Sequence, residues 1–553
     1  MTAADDNRSS ISDTWRSNHG IIEENSKVVS YRNLAFITLV ANIGALLFGY
    51  DFGATSWLLS TIDKYAENTD DSTYIYFVEI ANSNGLTGLI AAASSIGATI
   101  TYIFLLFLGN DIPKRDEIQI SALLYFVGAL LESSSGDLSW ETADGFSMLL
   151  IGRLIYGAGI AAAFHSVPQY CSEWSSSELR GMVGAATEAM AVTGVVLGYV
   201  VGYIFQDGYS WIVTFRVGYI IAFFMGILAL IIPQSPSWMV RNKCSDEEVM
   251  DALHYIFPNA TDDSIKHIKA NLDDEQKQRR QYDSKWRRED LDSNLCTSMF
   301  MSLPPELKVL VSSPTLVRCL LFALTLVVLQ ICTGQSAILY FAGDVFGEIC
   351  PDDPDDCILG LGISKLVPAY TMIFIGDSLG RREFLIGGSS LMVLGLGFLC
   401  YGISIGDPVP SLLGIYTAVI GYEISFGTML WILLSEIFPQ FVRSAANSIA
   451  VATLFALSTV ITFTLPYFEQ DVGLLGVFIL FTVFSGVAVI VLLFFAPETR
   501  GADLEIAYKK VDITCNATGA LFGCPIDNEY ELVENRDNES TSMLSNDIGF
   551  KVK

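Results

Sequence analysis

Twelve long apolar segments constrain the fold of this chain more than any other feature of its sequence. Each is roughly 20 residues long, which is what an α-helix needs to cross the hydrocarbon core of a bilayer. Their glycine-dotted, continuously apolar character suits helices, whereas the strands of a membrane barrel would be short and alternating. They lie at 34–54, 84–108, 117–134, 146–168, 182–205, 213–232, 316–342, 357–375, 384–404, 409–434, 444–466 and 473–496. The pattern predicts an all-α membrane protein with twelve transmembrane helices in two six-helix halves.

The composition excludes an ordinary soluble protein. Of 553 residues 51% are hydrophobic and 17% are charged, and the mean hydropathy is +0.44. The net charge of −28 is spread over loops and tails, so it indicates solvation and gives no sign of nucleic-acid binding. We therefore expect the lipid bilayer to be the main surrounding of this chain.

Neither an enzyme nor a metal protein is indicated. The four His and ten Cys show no metal-ligand spacing, and no cofactor motif is present. Gly402-Ile-Ser-Ile-Gly406 matches the nucleophile motif of serine hydrolases, but it ends an apolar segment and no His follows it. We expect no catalytic activity, no metal and no cofactor.

The polar segments divide the chain into five parts. We predict a tail at 1–33, a first half at 34–233, a linker with short helices at 234–314, a second half at 315–501 and an acidic tail at 502–553. The linker is rich in Lys and Arg, whereas the loops of the other side are acidic. By the positive-inside rule, the linker and both termini are cytosolic. Cys350 and Cys357 lie in an outer loop, where they could form a disulfide.

One spacing of an acid and a base occurs in both halves. Glu173 precedes Arg180 in EWSSSELRG, and Glu436 precedes Arg443 at the same spacing in EIFPQFVRS. GNDIPKR in the first half likewise returns as GDSLGRR in the second half. Such a long repeat is typical of a membrane transporter whose substrate site lies between two related halves.

Several ionisable residues fall deep inside the apolar segments, among them Asp51, Arg153, Glu188, Lys365 and Glu423. A charge within a membrane is costly unless it is paired or hydrated, so each indicates function by default. If Asp51 and Arg153 face one cavity, protonation of Asp51 would release the pair and permit a conformational change. For Glu423, function and structural pairing both remain open.

These residues resemble the sugar porter family of the major facilitator superfamily. The motifs occur in the family's order: FGYD at 48–51, GR at 152–153, PxYxxE at 168–173, RG at 180–181, PxSP at 233–236, GRR at 380–382 and PETRG at 497–501. The resemblance implies the major facilitator fold. It also implies a cytosolic latch that holds the halves together in the outward-open state, formed by Glu173, Arg180, Arg381, Arg382, Glu436 and Arg443.

The same resemblance implies proton symport. Proton-driven members of the family have an Asp at the position of Asp51, paired with an Arg at the position of Arg153, whereas several passive members have Asn in place of the Asp. The first half departs from the family elsewhere, since NDIPKR and PQSPS each lack a charge of the usual motifs. The outward-open state would therefore be held less strongly.

The predicted substrate site departs further from the family. Glu188 and Lys365 stand where sugar porters have Gln and Asn, and the family's prolines before Trp431 are replaced by Thr428 and Leu430, which would stiffen that helix. The residues that we assign to the substrate are Glu188, Gln330, Ser336, Lys365, Trp431 and Phe455. Glu188 and Lys365 either neutralise each other or complement a charged group of the substrate.

Three functional hypotheses follow. The first is a transporter of a small polar solute, a sugar or polyol, by alternating access with proton symport. The second is a transporter of a charged or zwitterionic solute, because amides that suit hydroxyl groups are replaced. The third is a sensor that binds a sugar without moving it. We expect a monomer in the plasma membrane.

Overall fold

The computed structural model describes residues 30–67, 75–108, 112–138, 143–175, 180–205, 210–258, 260–273, 277, 304–376, 380–438 and 440–498. The acidic tail falls outside these ranges, and only residues 30–33 of the first tail lie within them. The first tail was expected to reach residue 33, but a helix begins at Tyr31 because Ser30 caps it by accepting a hydrogen bond from the Asn33 N–H.

The membrane-spanning helices follow one another along the chain. In the first half α1 consists of Tyr31–Ala41 and Ile43–Glu67, and it is followed by α2 (Asn84–Leu108), α3 (Lys114–Ser134), α4 (Asp144–Trp174), α5 (Arg180–Ile204) and α6 (Ser210–Ala229). In the second half α7 consists of Pro314–Cys332 and Gln335–Tyr340, and it is followed by α8 (Pro354–Ile375), α9 (Arg381–Ile405) and α10, which consists of Pro408–Tyr422, a π-helical turn at Glu423–Gly427, and Thr428–Glu436.

The last helical stretch, Gln440–Phe495, contains two membrane helices. Its 56 residues would form a rod about 84 Å long, nearly three times the thickness of a bilayer core. Gly473 interrupts it with φ 71° and ψ 167°, a conformation outside the helical region. The residues at 440–472 form α11 and those at 474–495 form α12. The prediction of twelve transmembrane helices is thereby confirmed for the described part of the chain.

Shorter helices lie outside the membrane segments. The linker contains Pro236–Arg241, Asp246–Ile256 and Pro305–Ser312, while Ile75–Ala81 and Ala342–Ile349 lie at the other end of the bundle. Ser30 donates its backbone N–H to Ile256 O at 2.8 Å, which places the start of α1 beside the linker. We call this end of the molecule the linker face, and the other end the opposite face.

Glycines allow the helices of each half to approach closely. A Cβ atom added to Gly53 of α1 would lie 2.7 Å from the Cα atom of Gly198 in α5. That separation is too short for any side chain, so the two backbones are in direct contact. The packing of α1 against α5 keeps Asp51 and the residues around it in a fixed position.

The two halves are in contact at the opposite face. The Tyr199 hydroxyl of α5 donates to Leu339 O of α7 at 3.0 Å, and Asn84 of α2 donates to the side chain of Gln470. The carboxyl group of Asp344, beyond the end of α7, also hydrogen-bonds to Asp63. Burial raises the pKa of Asp344 well above its ordinary value, and the charge of Asp63 raises it further.

A cavity lies between the halves on the side of the linker face. Its volume is about 80 Å³, and its walls come from α2, α4, α5, α10 and α11. Gln169 of α4 donates to Ser444 of α11 at 2.9 Å near its outer end. The two halves are thus in contact at the opposite face, and the cavity between them lies near the linker face. The structure is in a conformation whose internal space is on the side of the linker.

Cys350 and Cys357 are joined by a disulfide at the opposite face. The bond connects the end of the helix Ala342–Ile349 to the first turn of α8. The sequence left this pairing open. In the structure the disulfide lies in the connection between α7 and α8, where it limits how far these two helices can separate.

Candidate functional site

Asp51 and Arg153 form a buried ion pair in the first half. The distance from Arg153 Nη1 to Asp51 Oδ1 is 3.2 Å and that from Nη2 to Oδ2 is 3.4 Å. Both side chains are at most 1% exposed. The pair is therefore shielded from solvent, and each partner is the main counter-charge of the other.

Neighbouring hydroxyl groups complete this pair. Arg153 Nη1 donates to Thr55 Oγ1 at 2.7 Å, and the Ser94 hydroxyl donates to Asp51 Oδ2 at 2.8 Å. Arg153 Nε donates to the Ile90 carbonyl at 2.7 Å, which fixes the guanidinium against α2. We call Asp51, Arg153, Thr55 and Ser94 the first-half cluster, because α1, α2 and α4 supply all four.

Tyr340 connects the first-half cluster to the second half. Its hydroxyl donates to Asp51 Oδ2 at 3.2 Å and lies 3.3 Å from Ser94 Oγ. Tyr340 is the last residue of α7, so the carboxylate of Asp51 is bound from both halves at once. The sequence analysis missed this residue, and an isolated Tyr at the end of an apolar segment gave no signal for it.

Glu132 of α3 is a further carboxyl group that the sequence analysis missed. It is fully buried, and neither of its side-chain oxygens has a hydrogen-bond partner among the described residues. It packs against Gly152, the neighbour of Arg153, so closely that a Cβ there would lie 2.9 Å from Glu132 Cγ. Its place inside the third apolar segment was the signal that could have identified it.

A second group of charges lies where the two halves meet. Lys365 of α8 forms an ion pair with Glu423 of α10, and its Nζ lies 3.7 Å from Glu188 Oε1 of α5. The Trp431 Nε1–H donates to Glu188 Oε2 at 3.1 Å. We call Glu188, Lys365 and Glu423 the central cluster. The sequence analysis considered a pair of Glu188 with Lys365, and the structure adds Glu423 as the nearer carboxylate.

Glu423 is the first residue of a π-helical turn in α10. The turn runs over Glu423–Gly427 and directly precedes Thr428 and Leu430, which stand where the family has prolines. A π-helical turn holds one residue more than an α-helical turn and disturbs the backbone ladder locally. The structure shows this irregular turn just before Thr428, and the stiffer helix expected without the prolines stays a prediction.

The other predicted substrate residues are dispersed around the cavity and the central cluster. Gln330 of α7 donates to the Tyr422 hydroxyl at 2.8 Å, beside the Lys365 ammonium. The Phe455 ring packs edge-on against Phe48 and Phe164, while Ser336 is half-buried in the second segment of α7. Among the six predicted residues Trp431 lines the cavity, next to Thr187, Asn447 and Ser448.

The predicted latch residues lie near the linker face. Arg381 Nη2 donates to Glu436 Oε1 at 3.0 Å, and the backbone N–H groups of Arg381 and Arg382 donate to the Glu498 carboxylate. Arg443 Nε donates to the Phe438 carbonyl at 3.2 Å. In the first half Glu173 accepts a hydrogen bond from Ser235. The side chain of Arg180 lies outside the described residues.

A third group of charges borders the cavity near the linker face. His165 Nδ1 of α4 lies 2.5 Å from Glu117 Oε1 of α3, and Lys114 Nζ donates to Glu117 Oε2 at 3.0 Å. All three side chains are at most 6% exposed. The sequence analysis assigned no role to these three residues.

This architecture defines the class of the protein. Two halves of six helices each enclose a cavity, and an ion pair is buried within the membrane segments of one half. Charged groups at that depth are stable only where they face other protein groups or a hydrated path. Two related halves around a cavity, with such charges inside, are the arrangement of a transporter. The fold is that of the major facilitator superfamily.

The chain belongs to the sugar (and other) transporter family, whose sequence model matches residues 37–509. A protein of Arabidopsis thaliana named D-xylose-proton symporter-like 3, chloroplastic, is 30% identical over 85% of this chain and 81% of its own length. The glucose transporter GlcP of Staphylococcus epidermidis is 25% identical over 86% of this chain and 96% of its own. The resemblance to sugar porters is confirmed.

Solved structures agree on the fold. The proton:xylose symporter XylE bound to 6-bromo-6-deoxy-D-glucose has a TM-score of 0.67 at 23% identity, covering 87% of this chain and 98% of that one. XylE from E. coli in a partially occluded inward-open conformation also has a TM-score of 0.67, at 21% identity and with 85% and 100% coverage. At such identities these structures establish the architecture alone.

Proposed function

We propose that this protein transports a neutral sugar or polyol together with a proton, by alternating access of a site between its two halves. The observation that carries the proposal is the buried pair of Asp51 and Arg153. It combines a group that can take up a proton with a fixed cation. Both lie in the first half, which moves relative to Tyr340 of the second half. Relatives named as xylose-proton symporter-like proteins and as a glucose transporter support the class of solute.

The geometry suggests how one proton would act. While Asp51 is ionised, its charge holds Arg153 and binds the Tyr340 hydroxyl of the second half. A proton on Asp51 removes that charge, so the ion pair and the contact between the halves both weaken. Arg153 keeps its contacts with Thr55 and Ile90, and therefore stays in place when the proton arrives. Protonation thus favours separation of the halves at the opposite face.

Orientation and surroundings complete the proposal. The basic linker indicates that the linker face is cytosolic. The predicted latch would then lie on the cytosolic side and strengthen when the cavity closes there. We propose that the protein works as a monomer in the plasma membrane, with both termini in the cytosol.

Transport into vesicles tests the proposal. The full-length protein is reconstituted, and uptake of labelled D-xylose, D-glucose and myo-inositol is measured with an inward proton gradient and with a protonophore. We expect at least one of these solutes to accumulate only with the gradient. Asp51→Asn should lose accumulation but keep exchange of labelled for unlabelled solute, because its site still alternates.

Asp352→Asn is the matched control, since Asp352 is exposed at the opposite face. It should behave like the unchanged protein. Exchange of no sugar or polyol would contradict the solute class, and accumulation by Asp51→Asn would contradict the role of Asp51. Binding of a sugar without exchange would identify a sensor.

One observation favours a second solute class. The central cluster contains two carboxylates and an ammonium group, and its Glu188 is held by Trp431 on the cavity wall. A charged or zwitterionic solute could bind there by replacing one of these partners. Labelled amino acids and organic acids therefore belong in the same panel, and exchange of one of them with no sugar would favour this alternative.

A further inference from the structure

The central cluster has an imbalance of charge that its contacts do not remove. Lys365 is one cation between two carboxylates, Glu188 and Glu423. The Lys365 and Glu423 side chains are 5% and 0% exposed and that of Glu188 is 12% exposed, so water neutralises little of the excess. A buried charge without a counter-charge is costly, and a further positive charge would remove that cost.

The position of the missing positive charge is indicated by Glu423 Oε2. Oε1 of the same carboxyl group binds Lys365, whereas Oε2 has no hydrogen-bond partner among the described residues. Oε2 lies against Gly427 across the π-helical turn, since a Cβ on Gly427 would be 2.9 Å away. A carboxylate oxygen buried with no donor is unstable as an anion, whereas a protonated acid carries no charge and is buried at a lower cost.

A proton fits at Glu423 better than a larger cation. The cavity wall includes Trp431 and Thr187 but neither Glu423 nor Lys365. On its other side α10 packs directly on α9, where Gly388 and Met392 meet the backbone of Gly421 and leave no space. Among the described residues, the charged groups that face Glu423 are Lys365 and Glu188.

We propose that Glu423 is a second proton-binding site, separate from Asp51, and that Glu188 controls its occupancy. The proton binds to Glu423 Oε2 when Glu188 lies beside Lys365, as in this conformation. When α5 moves away with the first half, Glu188 leaves, and Lys365 alone balances an ionised Glu423. The proton is then released. The proposal depends on the proposed function only in requiring the two halves to move.

Infrared spectroscopy of the purified full-length protein tests the proposal without any sugar. The carbonyl stretch of a buried protonated carboxyl group is separate from the bands of ionised carboxylates. We expect Glu423→Gln to lose the band of a single carboxyl group at neutral pH. Glu188→Gln should lose the same band, because Lys365 then balances Glu423 without a proton.

Two comparisons make the result decisive. Gln has nearly the shape of a protonated Glu, so Glu423→Gln should keep the elution volume and thermal stability of the unchanged protein. Glu132→Gln should remove a different band and leave that of Glu423 in place. An unchanged spectrum in Glu423→Gln would overturn the proposal, and an unchanged band in Glu188→Gln would overturn the control by Glu188. Neither result depends on whether the protein carries a sugar.

Discussion

The first-half cluster and the central cluster both bury a cation with carboxyl groups, but they differ in which half supplies the partners. Asp51 and Arg153 belong to helices of one half, so their ion pair can persist when the halves move as rigid bodies. In the central cluster Lys365 and Glu423 come from the second half and Glu188 comes from the first. Its set of charges therefore depends on conformation, whereas that of the first-half cluster depends on protonation.

Loss of Arg153 should have the largest effect. Arg153→Met leaves Asp51 buried without its cation, which we expect to lower the free energy of unfolding by about 3–5 kcal/mol. Thermal unfolding in detergent measures this. Asp51→Asn combined with Arg153→Met should regain part of the loss. Arg216→Met is the control, because Arg216 forms a half-exposed pair with Asp137 and should change stability by less than about 1 kcal/mol. A double variant no more stable than Arg153→Met would contradict the pairing.

Loss of Lys365 should have a smaller effect, because the remaining charges can rearrange. In Lys365→Met the proton that we propose on Glu423 keeps that group neutral, and Glu188 keeps the hydrogen bond from Trp431. We expect a loss of about 2–3 kcal/mol in the same unfolding measurement. A cost equal to that of Arg153→Met would show that the central cluster is as fixed as the first-half cluster.

The contact of Tyr340 with Asp51 connects the two halves and should influence conformation more than stability. Tyr340→Phe weakens contact at the opposite face, so the linker-side cavity should be open less often. We expect the modification of Cys171 on the cavity wall by a small thiol reagent to slow by about three- to tenfold, which corresponds to roughly 1 kcal/mol. Mass spectrometry of the peptide measures the rate. Tyr416→Phe loses a hydrogen bond to Cys357 O within the second half and should leave the rate of Cys171 modification unchanged. An unchanged rate in Tyr340→Phe would contradict the role of Tyr340 in connecting the halves.

The carboxyl pair at the opposite face should give the smallest effect. The pKa of Asp344 is raised in the folded protein. Above a pH of about 4 its carboxyl group is therefore ionised in the unfolded chain but still protonated in the folded protein, and this ionisation stabilises the unfolded chain. Stability should fall as the pH rises from that value through the raised pKa. Asp344→Asn should remove this slope and be more stable at neutral pH by about 1 kcal/mol. Unfolding at several pH values measures this slope, with Asp352→Asn as the control. Equal slopes in Asp344→Asn and in the unchanged protein would contradict the raised pKa of Asp344.

The sequence predicted the helices and the first-half pair, but the central cluster only in part. Helix spans follow from apolar length, and a buried Asp and Arg in facing helices have few other partners. Lys365 could pair with Glu188 or with Glu423, and the choice between these two partners depends on how α5, α8 and α10 pack. Tyr340 could not be assigned a role because its partners Asp51 and Ser94 come from helices distant in the chain. Glu132 packs against the next helix, and its place inside an apolar segment was a signal that could have been used. The π-helical turn escaped prediction since no residue type encodes it uniquely.

That π-helical turn ties the charges of α10 to the number of residues in the helix. Because a π-helical turn holds one residue more than an α-helical turn, deletion of one residue at 424–427 would let an α-helical turn form there and leave the helical segments on either side in phase. One additional residue would instead rotate the segment after the turn by about 100° relative to Glu423. Either Glu423 would then leave Lys365 or Trp431 would leave Glu188, although every charged residue would still be present.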